Sequence, residues 1–232
     1  YILYRIENEL NTQFNTRKQL VLKTMYAYID RRGSLYDTEC LSLFGTNSFN
    51  LVWEKICAEI MDNQLDVPLG ILKLPVPLKE DYNRRQKLIE LIEKPLWTIT
   101  GKCAKDTLIP DLVSICKVND QHQFIIFDAK YYNAHLEKGI VPTGQPGIES
   151  ITKQYLYQLA YQQFIEDHNF SSVKNCFLLP TENNEIEDKG EVRMEMLSNL
   201  GLQDIKIRLI PATMAYDLYL SGSKMDMERL DL

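Results

Sequence analysis

Residues 125–132 read IIFDAKYY, an apolar run that ends in an acid and a base two positions apart. Side chains alternate along a strand, so one face carries Phe124, Ile126, Asp128 and Lys130, and the other carries Ile125, Phe127 and Ala129. Burying Asp128 and Lys130 together costs free energy unless they pair with each other or hold a metal ion. The octapeptide alone favours a salt bridge at a strand end, because short motifs match freely by chance. Evidence from the rest of the sequence is needed to distinguish a structural salt bridge from a catalytic or metal-binding site.

The composition indicates a globular protein with one large domain, or one domain and a small appendage. The 232 residues are 45% hydrophobic and 25% charged, which is ordinary for such a chain. A net charge of −6 argues against a strongly basic nucleic-acid-binding module. DNA binding stays open, because an enzyme with carboxylates for metal ions can be acidic overall and still place lysines along one groove. The first residue is Tyr1, which predicts a fragment lacking an N-terminal part.

The cysteines are odd in number and widely spaced: Cys40, Cys57, Cys103, Cys116 and Cys176. They form no Cys-x-x-Cys pair and no Cys/His cluster, so the sequence predicts neither a disulfide framework nor a structural zinc site. Reduced thiols of this kind are typical of a cytosolic protein. No stretch resembles a signal peptide or is apolar enough to span a bilayer. We therefore expect a cytoplasmic protein with no membrane partner.

Hydrophobic periodicity predicts a helical N-terminal extension over residues 1–45 and an α/β domain over 46–232. Predicted helices cover 46–63, 151–169 and 213–224, and predicted strands cover 95–100, 108–118, 123–132, 172–181 and 205–213. Turn formers over 118–123 predict an antiparallel hairpin between the second and third strands. The acidic stretch 182–191 is predicted to be a surface loop. The predicted order is therefore helix, three strands, helix, two strands.

The predicted hairpin brings two carboxylates together at one end of the sheet. Asp111 follows Pro110 at the start of the second predicted strand, and pairing places it near Asp128. Two carboxylates and a neighbouring lysine suit a hard cation, because Mg²⁺ prefers oxygen ligands and keeps several waters. Lys130 is no metal ligand, but it can hold and polarise a water that attacks a phosphorus atom, while the metal offsets charge on the phosphoryl oxygens.

These residues fit the P-D…(D/E)-x-K signature of the restriction-endonuclease-like nuclease fold, an α/β fold whose core is a mixed sheet flanked by helices. The chain more closely resembles the LlaJI family of type II restriction endonucleases. The blocks that carry this resemblance are FGTNSFNLVWEKICAEI (44–60), IPDLVSI (109–115), IFDAKYY (126–132) and GQPGIESITKQYLYQLAY (144–161). The chain is more distantly similar to McrC-type nuclease subunits, which belong to restriction complexes driven by a nucleotide-hydrolysing motor.

The resemblance implies a role for each residue of the constellation. Asp111, Asp128 and the carbonyl of Ala129 would hold Mg²⁺, for which Mn²⁺ can substitute, and Lys130 would position the attacking water. Glu54, on the helix predicted over 46–63, matches an additional acidic residue that many members of the fold contribute to the metal site. The alternative for Glu54 is a solvated side chain at the helix edge, since glutamate is common on helix surfaces.

The helix predicted over 151–169 has two stripes. The first is mainly apolar and comprises Thr152, Tyr155, Leu156, Leu159 and Ala160; the second comprises Lys153, Gln154, Tyr157, Gln158 and Tyr161. The resemblance places Gln154 close to the metal site. Related nucleases can carry a tyrosine four residues later, where this chain has Gln158. Its tyrosines either serve the site or cap the sheet with their hydroxyls in water.

The predicted layout scatters the DNA contacts around the site instead of gathering them in one basic run. The candidates are Lys102, Lys105, Lys138, Lys153 and Tyr157, beside the catalytic Lys130. Such lysines contribute positioning and salt dependence rather than sequence choice.

The resulting hypothesis is a Mg²⁺-dependent endonuclease of a restriction system that acts on double-stranded DNA. One alternative is a repair or recombination nuclease of the same fold, such as a junction resolvase. The other is a catalytically silent nuclease-like domain that binds DNA or a partner subunit. Expected partners are a McrB-like nucleotide-hydrolysing motor subunit or a second restriction subunit, and a homodimer is a further expectation.

Overall fold

The computed structural model of the chain describes residues 2–12, 16–30 and 48–232. The chain divides into two compact units, Tyr1–Thr46 and Asn47–Leu232. The described part of the first unit consists of two helices, α1 (Ile2–Thr12) and α2 (Thr16–Asp30). The rest of the predicted helical extension, residues 1, 13–15 and 31–45, lies outside the described residues.

The second unit contains a five-stranded mixed sheet flanked by helices, which confirms the predicted α/β class. Its strands follow the order β3-β4-β5-β7-β6; β4, β5 and β7 run parallel, and both edge strands are antiparallel to their neighbours. The elements are α3 (Phe49–Ile60), β1 (Leu96–Trp97), β2 (Lys102–Cys103), β3 (Leu112–Val118), β4 (Gln121–Ala129), α4 (Ile148–Asp167), β5 (Ser172–Thr181), β6 (Glu187–Val192), β7 (Ile205–Pro211) and α5 (Ala212–Ser221).

The β3–β4 hairpin turns where the sequence predicts it. Asn119 and Asp120 both have positive φ, +48° and +63°, as a two-residue hairpin loop of the primed type requires. The register pairs Leu112 with Phe127, so a further step along both strands sets Asp111 opposite Asp128. The turn thus fixes which residues meet at the far end of the hairpin.

The two faces of β4 pack against different helices, and the alternation predicted from the sequence is confirmed. Ile125 and Phe127 lie in a buried cluster with Trp53 of α3 and Ala215 of α5. On the opposite face the core cluster comprises Phe124 and Ile126 of β4 with Tyr157, Tyr161 and Phe164 of α4. Asp128 continues this second face, so it enters the space between the sheet and α4.

Two strand predictions are wrong. The strand predicted over 95–100 shrinks to β1, which pairs only with β2 in a separate two-stranded sheet, because the chain reverses after Trp97 and Gly101 adopts φ +63°. The second half of the predicted acidic loop forms β6 at the sheet edge, where Asp188 pairs with the buried Arg208 of β7. The sheet therefore takes two strands before α4 and three after it.

The buried face of α4 also differs from the predicted apolar stripe. Leu156 and Leu159 are exposed, whereas Gln154 and Gln158 of the second stripe are buried. Both glutamines find partners in the sheet layer; for example, Gln158 Oε1 accepts hydrogen bonds from Asn175 Nδ2 (2.6 Å) and from the backbone of the loop before β7. These hydrogen bonds offset the burial of Gln158 Oε1 and Gln154 Nε2, whereas Gln154 Oε1 is buried without a partner among the described residues.

The described part of the chain contains free thiols and no helix suited to a bilayer. Cys57 and Cys176 are buried, Cys116 is half-buried and Cys103 is exposed; Cys40 lies outside the described residues. No helix within the described ranges combines the length and apolar character needed to cross a membrane.

Candidate active site

Asp111 sits at the entrance to β3 and is tied to the adjacent strand. Its Oδ2 accepts a hydrogen bond from the backbone N–H of Ala129 at 2.8 Å. Pro110 before it is buried, which fixes the approach of the chain to the sheet. The preceding carbonyl, that of Ile109, accepts a hydrogen bond from the Tyr157 hydroxyl of α4 at 2.9 Å. Asp111 is thus held from both sides of its strand.

Asp128 and Lys130 form an ion pair at the end of β4. Lys130 Nζ lies 2.8 Å from Asp128 Oδ1, and the Asp128 residue is only 5% exposed. The second carboxylate oxygen, Oδ2, is buried and accepts no hydrogen bond from another group of the described residues, although the Asp111 carboxyl lies close enough to share a proton with Asp128. A buried carboxylate oxygen without a donor is costly, so this atom is suited to accept a ligand.

The electrostatics of the pair follow from its burial and from Asp111. Burial raises the pKa of Asp128 to about 7, and the nearby Asp111 carboxylate adds to the rise while Lys130 opposes it. Burial acts to lower the pKa of Lys130, but the charges of Asp128 and Asp111 outweigh it and the pKa is raised. At neutral pH the site therefore holds a fully protonated Lys130 beside the Asp128 carboxyl group, which titrates close to neutrality.

Glu54 on α3 faces the same end of the sheet. Partial burial raises its pKa, Asp111 raises it further, and Lys130 lowers it, so Glu54 lies within the electrostatic range of both. The carbonyl of Leu178 on β5 organises this region: it accepts hydrogen bonds from Trp53 Nε1 (3.1 Å) and from the backbone N–H of Lys130 (2.9 Å). Sequence reasoning missed Trp53 as a positioning residue, although it stands directly before Glu54.

Gln154 lies beneath the site instead of opening into it. Its side chain is fully buried, and Nε2 donates to the carbonyl of Ile126 at 2.7 Å, two residues before Asp128 on the same face. Tyr157 is also buried, and its hydroxyl already serves Ile109. This placement does not support the predicted contact of Tyr157 with DNA and favours a positioning role.

The predicted lysines are distributed differently. Lys153 forms an ion pair with Glu149 at 2.6 Å, and Lys130 helps to lower the Glu149 pKa after Lys153 itself, so this pair lies near the site. Lys138 lines a cavity of about 390 Å³ beside the sheet. Lys102 and Lys105 belong to the β1–β2 region, and within the described ranges neither forms an ion pair with a site residue.

The oxygen donors suit a magnesium ion in number and type. Within the described residues no group of three or more His, Cys, Asp or Glu side chains is arranged to hold a metal. Asp111 and Asp128 nonetheless meet at the strand ends, and Asp128 Oδ2 has no partner in the described part of the chain. Mg²⁺ keeps most of its waters and binds through one or two carboxylates together with substrate phosphate, so this set fits it.

The raised pKa of Asp128 makes the stability of the metal-free protein depend on pH. Folded Asp128 keeps its proton up to about pH 7, whereas the unfolded chain loses it near pH 4. The unfolded state therefore binds fewer protons between these values, and the free energy of unfolding should fall as pH rises through the window. Urea denaturation in EDTA at about pH 5 and about pH 7 measures this fall. Asp128→Asn should remove most of this pH-dependent decrease in the free energy of unfolding. If the decrease is unchanged in that variant, other groups are responsible for it.

Comparison with known proteins adds two matches. The family described as LlaJI restriction endonuclease matches residues 1–216. The Type II restriction enzyme BsuMI component YdjA of Bacillus subtilis (strain 168) is 27% identical over 232 residues, covering 97% of this chain and 44% of that protein. The chain thus spans less than half the length of this relative. No solved structure matches the chain significantly.

Proposed function

The chain belongs to the LlaJI restriction endonuclease family, and from that premise we propose that it is the nuclease component of a type II restriction system. It hydrolyses phosphodiester bonds of double-stranded DNA with a divalent cation, Mg²⁺ or Mn²⁺. The observation that carries this proposal is the Asp128–Lys130 pair opposite Asp111, with one buried carboxylate oxygen free of partners in the described ranges. A plain structural salt bridge has no use for a second carboxylate at the same strand end.

Asp111, Asp128 and the carbonyl of Ala129 would hold the cation, with Glu54 as a further acidic contributor. When bound, the cation offsets negative charge on the phosphoryl oxygens and lowers the pKa of a water molecule. The carboxyl of Asp128 is prepared for this role, because its pKa of about 7 leaves a proton that is readily displaced near neutral pH.

Lys130 orients the attacking water and the phosphate. Its ammonium group has three N–H donors, and Asp128 Oδ1 accepts one of them at 2.8 Å. The other two donors can reach a water and a phosphate oxygen. The raised pKa of Lys130 keeps its ammonium group fully charged for these contacts. No covalent intermediate is needed, because a water oriented in this way attacks the phosphorus atom directly.

The surrounding residues keep these groups in place. Tyr157 holds the carbonyl before Pro110, and Leu178 ties the Lys130 backbone to Trp53 on α3. Such positioning matters because misplacement by about 1 Å can cost roughly a hundredfold in rate. Tyr157, Trp53 and the Leu178 carbonyl thus serve the reaction through Asp111, Glu54 and Lys130.

The direct test is cleavage of unmethylated phage DNA by the purified chain with Mg²⁺, with and without a nucleotide. Products that carry 5′-phosphate or 3′-phosphate ends, together with the number of strands cut, identify the bond that is hydrolysed. A chain that binds DNA and leaves it intact under all these conditions, including with its restriction partners present, would favour a catalytically silent domain.

Metal dependence should follow the all-oxygen ligand set. We expect cleavage with Mg²⁺ or Mn²⁺, and binding of Ca²⁺ without fast turnover. EDTA should stop cleavage while the melting temperature in EDTA still reports a folded protein, because the core clusters consist of apolar side chains and need no metal. Plasmid cleavage and differential scanning fluorimetry, each run across the same metal series, make the comparison. Full activity in excess EDTA would rule out the proposed mechanism.

A further inference from the structure

The short β1–β2 hairpin is a defined ribbon that stands outside the main sheet. Leu96 pairs with Cys103 and Trp97 with Lys102. The Trp97 carbonyl accepts hydrogen bonds from the backbone N–H groups of Thr100 (3.1 Å) and Gly101 (2.9 Å), and Gly101 adopts φ +63°. This geometry is that of a tight turn closed by a left-handed glycine, so the tip is held in one conformation. We call residues 94–105 the β1–β2 arm.

The arm carries large apolar side chains in water. Trp97 is 66% exposed, Ile99 at the tip is 100% exposed, and Leu96 is exposed as well. None of the three belongs to a core cluster of the described residues. A single exposed hydrophobic residue is ordinary, but here Leu96 and Trp97 lie on opposite faces of the ribbon and Ile99 lies at its tip, so three exposed apolar side chains within four positions contribute little to the stability of the fold. These side chains are therefore available to a partner.

The charge of the arm selects the kind of partner. Residues 94–105 contain Lys94, Lys102 and Lys105 between the flanking acids Glu93 and Asp106, so residues 93–106 have a net charge of +1 in a chain whose net charge is −6. All three lysines are exposed, and none forms an ion pair with another described residue. Elsewhere most lysines of the second unit are paired, for example Lys79 with Asp167 and Lys117 with Asp120. Unpaired lysines around an apolar tip are complementary to duplex DNA, because the lysines can contact the phosphate backbone while the apolar side chains contact the bases in the groove.

We infer that the β1–β2 arm enters a groove of duplex DNA beside the cleavage site. Lys102 and Lys105 contact phosphates, and Trp97 and Ile99 reach the bases. This inference rests on the proposed function, because it states how the proposed substrate is gripped. A two-stranded ribbon fits the major groove, where apolar side chains can contact base edges such as the thymine methyl group.

The chain also limits how far the arm can reach from the cut. Cys103 and Asp111 are eight residues apart, so they are separated by at most roughly 29 Å. This length corresponds to about one turn of the duplex. The arm is thus expected to touch DNA within about one helical turn of the scissile phosphate, where a contact can influence both affinity and the choice of sequence.

Substitutions on the arm, compared with matched exposed sites elsewhere, test the inference. The arm variants are Trp97→Ser/Ile99→Ser and Lys102→Gln/Lys105→Gln. The controls are Ile71→Ser/Leu220→Ser, at residues 71% and 81% exposed, and Lys23→Gln/Lys73→Gln, at two exposed lysines. Fluorescence anisotropy with a labelled duplex in Ca²⁺, across a salt series, measures binding without turnover. The melting temperature of each variant verifies its fold.

The two arm variants should differ in kind. The lysine variant should weaken binding and lower the slope of log K against log salt by about two, since each lost phosphate contact removes about 0.9. The Trp97/Ile99 variant should bind about tenfold more weakly with an unchanged slope, because it loses apolar contacts to bases and keeps every phosphate contact. Both control variants should bind as the wild type does.

A probe on the exposed Cys103 locates the arm on the DNA. An iron–EDTA chelate on this thiol, in a Cys40→Ser/Cys116→Ser background, should cut the duplex within about one turn of the bond that the wild type hydrolyses. The same chelate on Leu220→Cys, in a Cys40→Ser/Cys103→Ser/Cys116→Ser background, is the control for position. Absence of cutting from Cys103 on bound DNA would overturn the inference.

The outcomes separate this inference from the proposed function. Arm variants with wild-type affinity and salt slope overturn the inference and leave the nuclease proposal intact if the wild type cleaves. Arm variants that bind DNA normally and lose association with a second restriction component show a protein-docking surface instead, which also overturns it. Loss of DNA binding in the arm variants of a chain that never cleaves supports the arm and removes the nuclease proposal. A wild-type chain that neither binds nor cleaves DNA removes both.

Discussion

Asp128→Asn and Lys130→Met are each expected to lower plasmid cleavage by about a hundred- to a thousandfold while leaving the protein folded. Groups that act directly on the reacting phosphate typically contribute about a hundred- to a thousandfold each. The two residues also depend on each other through their 2.8 Å ion pair. Losing either one leaves the other misplaced, so the double variant should be little worse than the single variants.

The stability of the two variants should move in opposite directions. Asp128 is buried beside Asp111, and its raised pKa means that the charged form opposes folding near neutral pH. Asp128→Asn should therefore keep or raise the melting temperature in EDTA. Lys130→Met removes the cation that faces both carboxylates, so it should lower the melting temperature at neutral pH. A stabilising salt bridge would instead lower the melting temperature in both variants, so the two measurements distinguish it from a site in which two carboxylates repel each other.

The chain supplies a matched control with the same spacing. Glu187, Asp188 and Lys189 repeat the acid-x-lysine pattern on β6, and Glu187 and Lys189 form an ion pair at 2.9 Å. That pair lies on an edge strand, with no role in the proposed chemistry. Glu187→Gln and Lys189→Met should leave cleavage within about threefold of the wild type. Loss of cleavage in these variants, or wild-type rates in Asp128→Asn, would remove the assignment of the site.

The second motif shows why the letters alone do not locate the site. Each acid-x-lysine pair begins in a strand, but Asp128 continues a buried apolar run and Lys130 lies just beyond β4, whereas Glu187 follows a mainly polar stretch. Hairpin register supplied the rest of the argument, because the turn at 119–120 sets Asp111 opposite Asp128. Local periodicity and a strong turn therefore predict this part of the fold well.

Other features depend on partners distant in sequence. Leu178 lies 125 residues from Trp53, and its carbonyl joins Trp53 to Lys130 without any sequence pattern that marks it. A charged residue such as Arg208 in a strand is expected to be exposed. Its side chain is instead buried, and Nε donates a hydrogen bond to the carbonyl of Leu230 at 2.6 Å. The same limit explains the error on α4, where Gln154 and Gln158 are buried because the sheet offers them hydrogen bonds.

Whether two sites are assembled decides whether the protein nicks plasmid DNA or cuts both strands. One site of this kind hydrolyses one strand, so a double-strand break needs a second site or a second encounter. The B. subtilis relative is described as a component of a restriction enzyme, and it is more than twice as long as this chain. We expect the 232-residue chain alone to be a monomer or weak dimer that produces mainly nicked plasmid. A closed twofold dimer or a second subunit would supply the missing site.

Time courses of supercoiled, nicked and linear plasmid, with light scattering at the same protein concentrations, measure this expectation. Linear product from the chain alone should lag behind nicked product and rise with protein concentration, because two copies must meet on one duplex. Adding the second restriction component or motor subunit should raise the initial rate of linear product by tenfold or more at a fixed chain concentration. Asp128→Asn in the same mixture should yield neither product, which ties the cutting to this chain. Prompt, site-specific linear product from the chain alone, at a rate independent of its concentration, would mean that two sites are already assembled without a partner.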